Sequence, residues 1–165
     1  RQRQMCIRDR IRKAVTEKMD RKQEVRELMF RTEMARKRRI HPVWTDMGLI
    51  AGQPRVLSQL FIKDKITQKE LAEACCIEPA TLSRALDRLE AMGYIIRNDN
   101  PQCRRSFLIS LTEDGKKMAV KVKETFEGLE EEMMEGISDE EMDTIISLVS
   151  RIYDNLRNEE ESGGI

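Results

Sequence analysis

The hydrophobic rhythm of this chain changes several times, and each change predicts an element. From Ile11 to Arg39 there is no Gly or Pro, and helix formers dominate. Val25, Leu28, Met29 and Thr32 share one helical face there, with Ile11, Val15 and Met19 as a weaker upstream stripe. Pro42 is expected to end this helix, because the residue before a proline disfavours helical dihedrals. HPVWTDMGLIAG then reads as a connector with apolar anchors. Pro54 suits the first turn of a short helix ending near Phe61 or Ile62.

Thr67-Gln68-Lys69-Glu70 has the form of a capping box, in which hydroxyl and carboxylate each satisfy an orphan backbone donor. Its helix should reach about Cys75. Glu78-Pro79 opens the next helix, which stops at Gly93. The runs Tyr94-Ile95-Ile96 and Phe107-Leu108-Ile109-Ser110-Leu111 predict a hairpin, with RNDNPQCRRS as its polar tip. Thr112 caps a long helix with the stripe Met118, Val122, Phe126, Leu129 and Met133. Glu113 and Asp114 occupy its first turn, where the helix dipole favours anions. Ser138-Asp139-Glu140-Glu141 is a second capping box. The helix it opens carries the cleanest stripe: Met142, Ile145, Ile146, Val149, Ile152, Tyr153 and Leu156.

The fold class that follows is mainly α with a small β-hairpin wing: a winged helix-turn-helix lobe plus long dimerisation helices. Five segments are expected. Residues 1–10 form a non-native or disordered leader, since RQRQMCIRDR resembles translated sequencing-adapter sequence, and Cys6 carries no weight. Residues 11–44 supply an N-terminal dimerisation helix and connector, and residues 45–111 the winged helix-turn-helix lobe. Residues 112–157 are C-terminal dimerisation helices, and 158–165 a disordered tail.

Composition narrows the classes. At 165 residues the chain suits one domain with helical extensions. No apolar run approaches the roughly 20 residues needed to span a membrane. The four cysteines are irregularly placed, so a reducing cytoplasm is the expected compartment. A net charge of zero hides an asymmetry. Residues 1–40 hold 15 basic against 6 acidic side chains, and residues 112–165 hold 6 against 16. The middle is nearly balanced, but DNA binding needs basic groups only on the contacting face.

The helix after Glu78 carries the sharpest chemistry. Leu82, Ala85, Leu86 and Leu89 form a core stripe. Ala80, Thr81, Ser83, Arg84, Asp87 and Arg88 lie opposite. Small and hydroxylated residues near the N-terminus permit close approach to DNA, and arginine pairs bidentately with guanine. An ordinary amphipathic surface helix shows the same stripe. The hairpin behind it favours DNA, because a wing tip lies along a minor groove, where arginine follows the negative potential. Arg104 and Arg105 stand at that tip.

The segment from Thr67 to Gly115 resembles the core of a MarR-family transcriptional regulator. GLIAGQPRVLSQL resembles the family's entry into the DNA-binding lobe, LTEDG its LTxxG junction, and SDEEMDTIISLVSRIYDNL its last dimerisation helix. The resemblance covers roughly residues 45–157. It implies a homodimer on a pseudo-palindromic double-stranded operator, with two recognition helices in successive major grooves. Thr81, Ser83, Arg84 and Arg88 would meet the major groove and phosphates. Arg105, with Arg104, would meet the minor groove. The family's wing usually carries Asp-x-Arg, and here Cys103 takes the place of the Asp that braces the arginine; Asp99 is a candidate substitute. Cys76 stands where relatives commonly have a turn glycine. Small aromatic or phenolic effectors bind in the family near a cleft that Phe30, His41, Trp44, Met47 and Phe61 would line; plain core packing explains the same residues.

Cys103 beside two arginines is a candidate redox site, since neighbouring cations lower a thiol's pKa. Core, turn and surface roles for Cys75, Cys76 and Cys103 are the simpler reading. With one His and no CxxC, no metal site is expected. No phosphate loop or catalytic grouping is present, so neither cofactor nor enzymatic activity is expected. The chain therefore reads as a cytoplasmic, dimeric DNA-binding regulator, a repressor released by a small aromatic effector. The alternatives are a cysteine-based redox regulator and a winged-helix adaptor without DNA binding.

Overall fold

The computed structural model describes residues 20–103 and 106–162, the last five by backbone alone. The expected leader, the upstream stripe Ile11, Val15 and Met19, and Arg104 and Arg105 lie outside the described residues. The elements run α1 (Arg21–Asp46), α2 (Gln53–Ile62), β1 (Ile66–Thr67), α3 (Gln68–Cys75), α4 (Pro79–Ala91), β2 (Ile95–Asp99), β3 (Phe107–Leu111), α5 (Glu113–Met133) and α6 (Asp139–Ser162). Two compact units divide at Thr125 and Phe126, within α5.

In the first unit α2, α3 and α4 pack on one another, and all three also meet the sheet. Val56, Leu57, Leu60, Leu71, Leu82, Leu86, Leu89, Ile95 and Ile109 are sealed from solvent between them. Each such side chain contributes roughly 1.5–3 kcal/mol of transfer free energy. The sheet is antiparallel with strand order β1-β3-β2. Ile66 pairs with Ile109 on one side of β3, and Arg97 pairs with the same residue on the other.

Four sequence expectations need correction. Residues 158–162, expected in a disordered tail, continue α6 to Ser162. Helix α1 does not end at Pro42 but runs through it to Asp46. The proline leaves one carbonyl of the preceding turn without its N–H partner. Arg38 and Pro42 are both exposed, so water reaches that side of the helix. The real stop is Gly48 at φ 75, where Gly48 N–H donates to Thr45 O and Leu49 N–H to Trp44 O. The sheet has a third strand, β1, too short to show an alternation. The hairpin strand β2 begins at Ile95 and includes Arg97, Asn98 and Asp99, which the sequence placed in the tip. Their polar side chains are tolerated because Arg97 meets two carboxylates and Asn98 Nδ2 donates to Ser110 Oγ at 3.1 Å.

In the second unit the Ser138 box forms as expected. Ser138 N–H donates to Glu141 Oε2 at 2.9 Å, and Glu141 N–H to Ser138 Oγ at 3.3 Å. Of the described side chains of α6, none is buried: Ile145, Ile146, Leu148, Val149, Ile152, Tyr153 and Leu156 are all exposed.

Candidate nucleic-acid interface

The interface starts with a locally determined turn. Thr67 Oγ1 accepts from Glu70 N–H at 3.2 Å, while Thr67 N–H donates to Glu70 Oε2 at 2.8 Å. The Thr67 N–H, then the Thr67 hydroxyl and nearby Lys63, hold the Glu70 carboxyl at about 2, below its usual 4.5. Helix α3 ends at Cys76, whose backbone is left-handed at φ 53, ψ 47. Cys76 N–H donates to Glu73 O and Ile77 N–H to Ala72 O, closing the turn. Pro79 then starts α4 in the first-turn position, where its missing N–H costs nothing.

Helix α4 buries Leu82, Ala85, Leu86 and Leu89, and its other side stays open. Thr81, Arg84 and Arg88 are exposed and fall on one edge by helical spacing. Arg84 lies back along the helix, its Nε 3.4 Å from Ala80 O. Ser83 is half-buried and belongs to the opposite edge, with Asp87 and Glu90. That edge is occupied: Arg97 of β2 donates Nη2 to Asp87 Oδ1 at 2.6 Å and Nη1 to Glu90 Oε2. Helix and wing are thus joined by a two-carboxylate, one-guanidinium bridge.

The wing's two limbs are tied on either side of the arginine pair. Asn100 Oδ1 accepts from Gln102 N–H at 3.0 Å, and Asn100 Nδ2 donates to Ser106 Oγ at 2.8 Å. Cys103 N–H donates to Asn100 O and Ser106 N–H to Cys103 O. A helix, a left-handed turn, a second helix with one open face and a tied hairpin form a winged helix-turn-helix. The MarR family model matches residues 50–107 of it. These residues are a MarR-family domain.

The likeness extends beyond the domain. The chain is 29% identical over 111 residues to the HTH-type transcriptional regulator YdgJ of Bacillus subtilis, covering 67% of this chain and 68% of YdgJ. It is similar to the crystal structure of a MarR-family transcriptional regulator from Silicibacter pomeroyi, at 27% identity and TM-score 0.69, covering 78% and 86% of the two chains. The fold is also that of NadR in complex with 4-hydroxyphenylacetate, at 20% identity and TM-score 0.67, over 78% and 91%. The chain therefore has the fold of MarR-family transcriptional regulators.

Within this MarR fold the residues expected near an effector have unlike environments. Trp44 is buried and Met47 half-buried, whereas Phe30, His41 and Phe61 are exposed. His41 Nδ1 lies 3.5 Å from Thr45 Oγ1. Burial pushes the Cys75 thiol up to about 11, which keeps it protonated. Cys76 and Cys103 are exposed, and Asp99 is exposed at the last pair of the hairpin ladder. Among the described residues no group of three His, Cys, Asp or Glu is placed to hold a metal ion. No helix there is long and apolar enough to cross a membrane.

Sequence reasoning overlooked Arg97. Its signal was the alternation Ile95, Arg97, Asp99 on the strand face that also carries buried Ile109 and Leu111. A cation on an inward face implies a carboxylate opposite. Asp87, on the side of α4 opposite its core stripe, is that carboxylate.

Proposed function

We propose that the protein is a sequence-specific, double-stranded DNA-binding transcriptional regulator that works as a homodimer. The observation that carries this reading is the division of α4. One face is locked into the core by four apolar side chains, and the other presents Thr81, Arg84 and Arg88 to solvent. Placed in a major groove, Arg84 is the base reader, and Thr81 and Arg88 contact bases or phosphates. Ser83, on the edge bearing Asp87 and Glu90, approaches a phosphate from the wing side. Arg105, with Arg104, enters the adjoining minor groove from a tip whose limbs are tied by Asn100 and Ser106.

The dimer is formed by the apolar stripes of the N-terminal helix and of residues 112–157, and sets two recognition helices on a pseudo-palindromic operator. The protein acts as a cytoplasmic repressor released by a small aromatic effector. Support for the effector is the fold shared with NadR, which was crystallised with 4-hydroxyphenylacetate, together with Trp44, Met47, His41, Phe30 and Phe61 of this chain. Release requires the effector to bind the DNA-competent and incompetent states with different affinity.

The test is selection of duplexes from a random-sequence library by the full chain, followed by titration of the winner in increasing salt. A regulator of this kind enriches a two-fold-related sequence, and its affinity falls linearly on a log–log salt plot. Enrichment of no sequence identifies the lobe as a protein-interaction adaptor instead.

A further inference from the structure

Thr112 stands between β3 and α5, and it bonds to the far end of α4. Its backbone N–H donates to Tyr94 O at 3.0 Å. Its Oγ1 donates to Gly93 O at 2.6 Å and accepts from Gly115 N–H at 2.9 Å. Gly93 and Tyr94 are the residues that close α4, with Gly93 N–H on Glu90 O and Tyr94 N–H on Leu89 O. Gly115 makes the approach possible, because a Cβ there would fall 1.8 Å from Tyr94 O. The neighbouring Leu111 N–H is taken by Asp64 Oδ1 at 3.0 Å. The turn that ends the recognition helix and the first turn of α5 are therefore one hydrogen-bonded joint. Helix α5 continues unbroken from it to Met133.

A helix cap alone does not require this arrangement. Capping α5 needs only an acceptor for Gly115 N–H, which Ser, Thr, Asp or Asn supplies. Reaching Gly93 O requires a donor on the same side chain, and an ionised Asp has none. The hydroxyl thus does two separable things, ending one helix correctly and holding the next one's start against it.

We propose that Thr112 is a positioning residue for DNA reading, fixing the angle between α4 and α5 and with it the half-site spacing that the dimer accepts. The inference rests on the reading above, that paired copies engage two half-sites. The experiment uses the full chain and the duplex it selects from a random library, beside versions with one base pair inserted or removed at the centre. Unaltered protein and Thr112→Ser should prefer the selected spacing by about tenfold or more, in the range expected for one altered base pair. Thr112→Asp, which keeps the cap and loses the donor, should bind all three duplexes alike while melting near the unaltered temperature. If it does not fold, Thr112→Val, which loses donor and cap together, takes its place, and a spacing preference retained there overturns the proposal. Undiminished spacing preference in the donor-less variant, or its loss in Thr112→Ser, overturns the proposal. Selection of no duplex by the unaltered chain overturns the DNA-reading proposal and this one with it.

Discussion

Arg97 reaches from the wing strand to Asp87 of the recognition helix, with Nη2 2.6 Å from Oδ1. The Arg97 side chain is 21% exposed and that of Asp87 64%. Solvent screening limits the pair to about 1 kcal/mol, with Glu90 as second acceptor placing it at the upper end of that range. Arg97→Met keeps the aliphatic stem and leaves two carboxylates side by side. The lobe should melt about 4–8 °C lower for each kcal/mol lost, and operator affinity should fall as the wing loosens. A calorimetric scan and a binding titration measure the two effects; an unchanged pair of values would show that the bridge holds nothing.

Arg84 and Arg88 should differ in kind. Arg84→Ala is expected to cost roughly 1–3 kcal/mol on the selected duplex and to relax preference at one position. Arg88→Ala, if phosphate-directed, should weaken all sequences alike and reduce the salt slope by roughly 1. Fluorescence anisotropy on matched and single-mismatch duplexes separates these. No loss on Arg84→Ala would sink the recognition-helix assignment.

Glu70 makes α3 acid-sensitive. Its folded value of about 2 lies below the ordinary 4.5, so the unfolded chain binds the proton first. The contribution is complete above pH 4.5 and is lost as pH falls through 2. Glu70→Gln still accepts from Thr67 N–H but has no proton to take up. Melting curves collected across that window by circular dichroism should drop less steeply for the variant; identical slopes would remove Glu70 from the acid response.

Cys76 sits at φ 53 without being glycine. An L-residue there carries roughly 1–2 kcal/mol of strain. Glycine removes it but adds about 0.5–1 kcal/mol of unfolded-chain entropy. Cys76→Gly should therefore raise stability by up to about 1.5 kcal/mol, read as the shift of a urea midpoint at constant slope. A lower midpoint would mean that the Sγ contact to Glu73 O, at 3.6 Å, outweighs the strain.

Val149 lies in the exposed apolar stripe of α6. Val149→Glu puts a charge into the face assigned to the partner chain, and an unpaired buried charge is strongly unfavourable. Sedimentation velocity should give a dimer for the unaltered chain and a monomer, or a concentration-dependent mixture, for the variant. A dimer of equal strength would place the interface elsewhere.

Much of this protein was legible in its sequence, because the signals are short-range. The two capping boxes, Pro54 and Pro79 at helix starts and the Leu82–Leu89 stripe each depend on residues within one or two turns. Local hydrogen bonds and helical period specify them without reference to distant residues. The exposed stripe of α6 belongs here too, since its period is a property of the helix alone.

Other features needed the assembled structure. Pro42 looked like a stop, and only the exposure of its side of α1 shows why the helix continues. Strand β1 is two residues that become a strand because β3 lies beside them. Arg97 became an inward bridge rather than a loop residue because α4 brings Asp87 and Glu90 over β2. Thr112 looked like a helix cap, and became a joint because the Gly93–Tyr94 turn is folded against it. The starts of most helices, the two capping boxes and the core stripe of α4 are specified locally in the chain, whereas the end of α1 was not. Which polar side chains couple those parts is settled only in the assembled fold, because such bonds join residues far apart in the chain and leave no period to read.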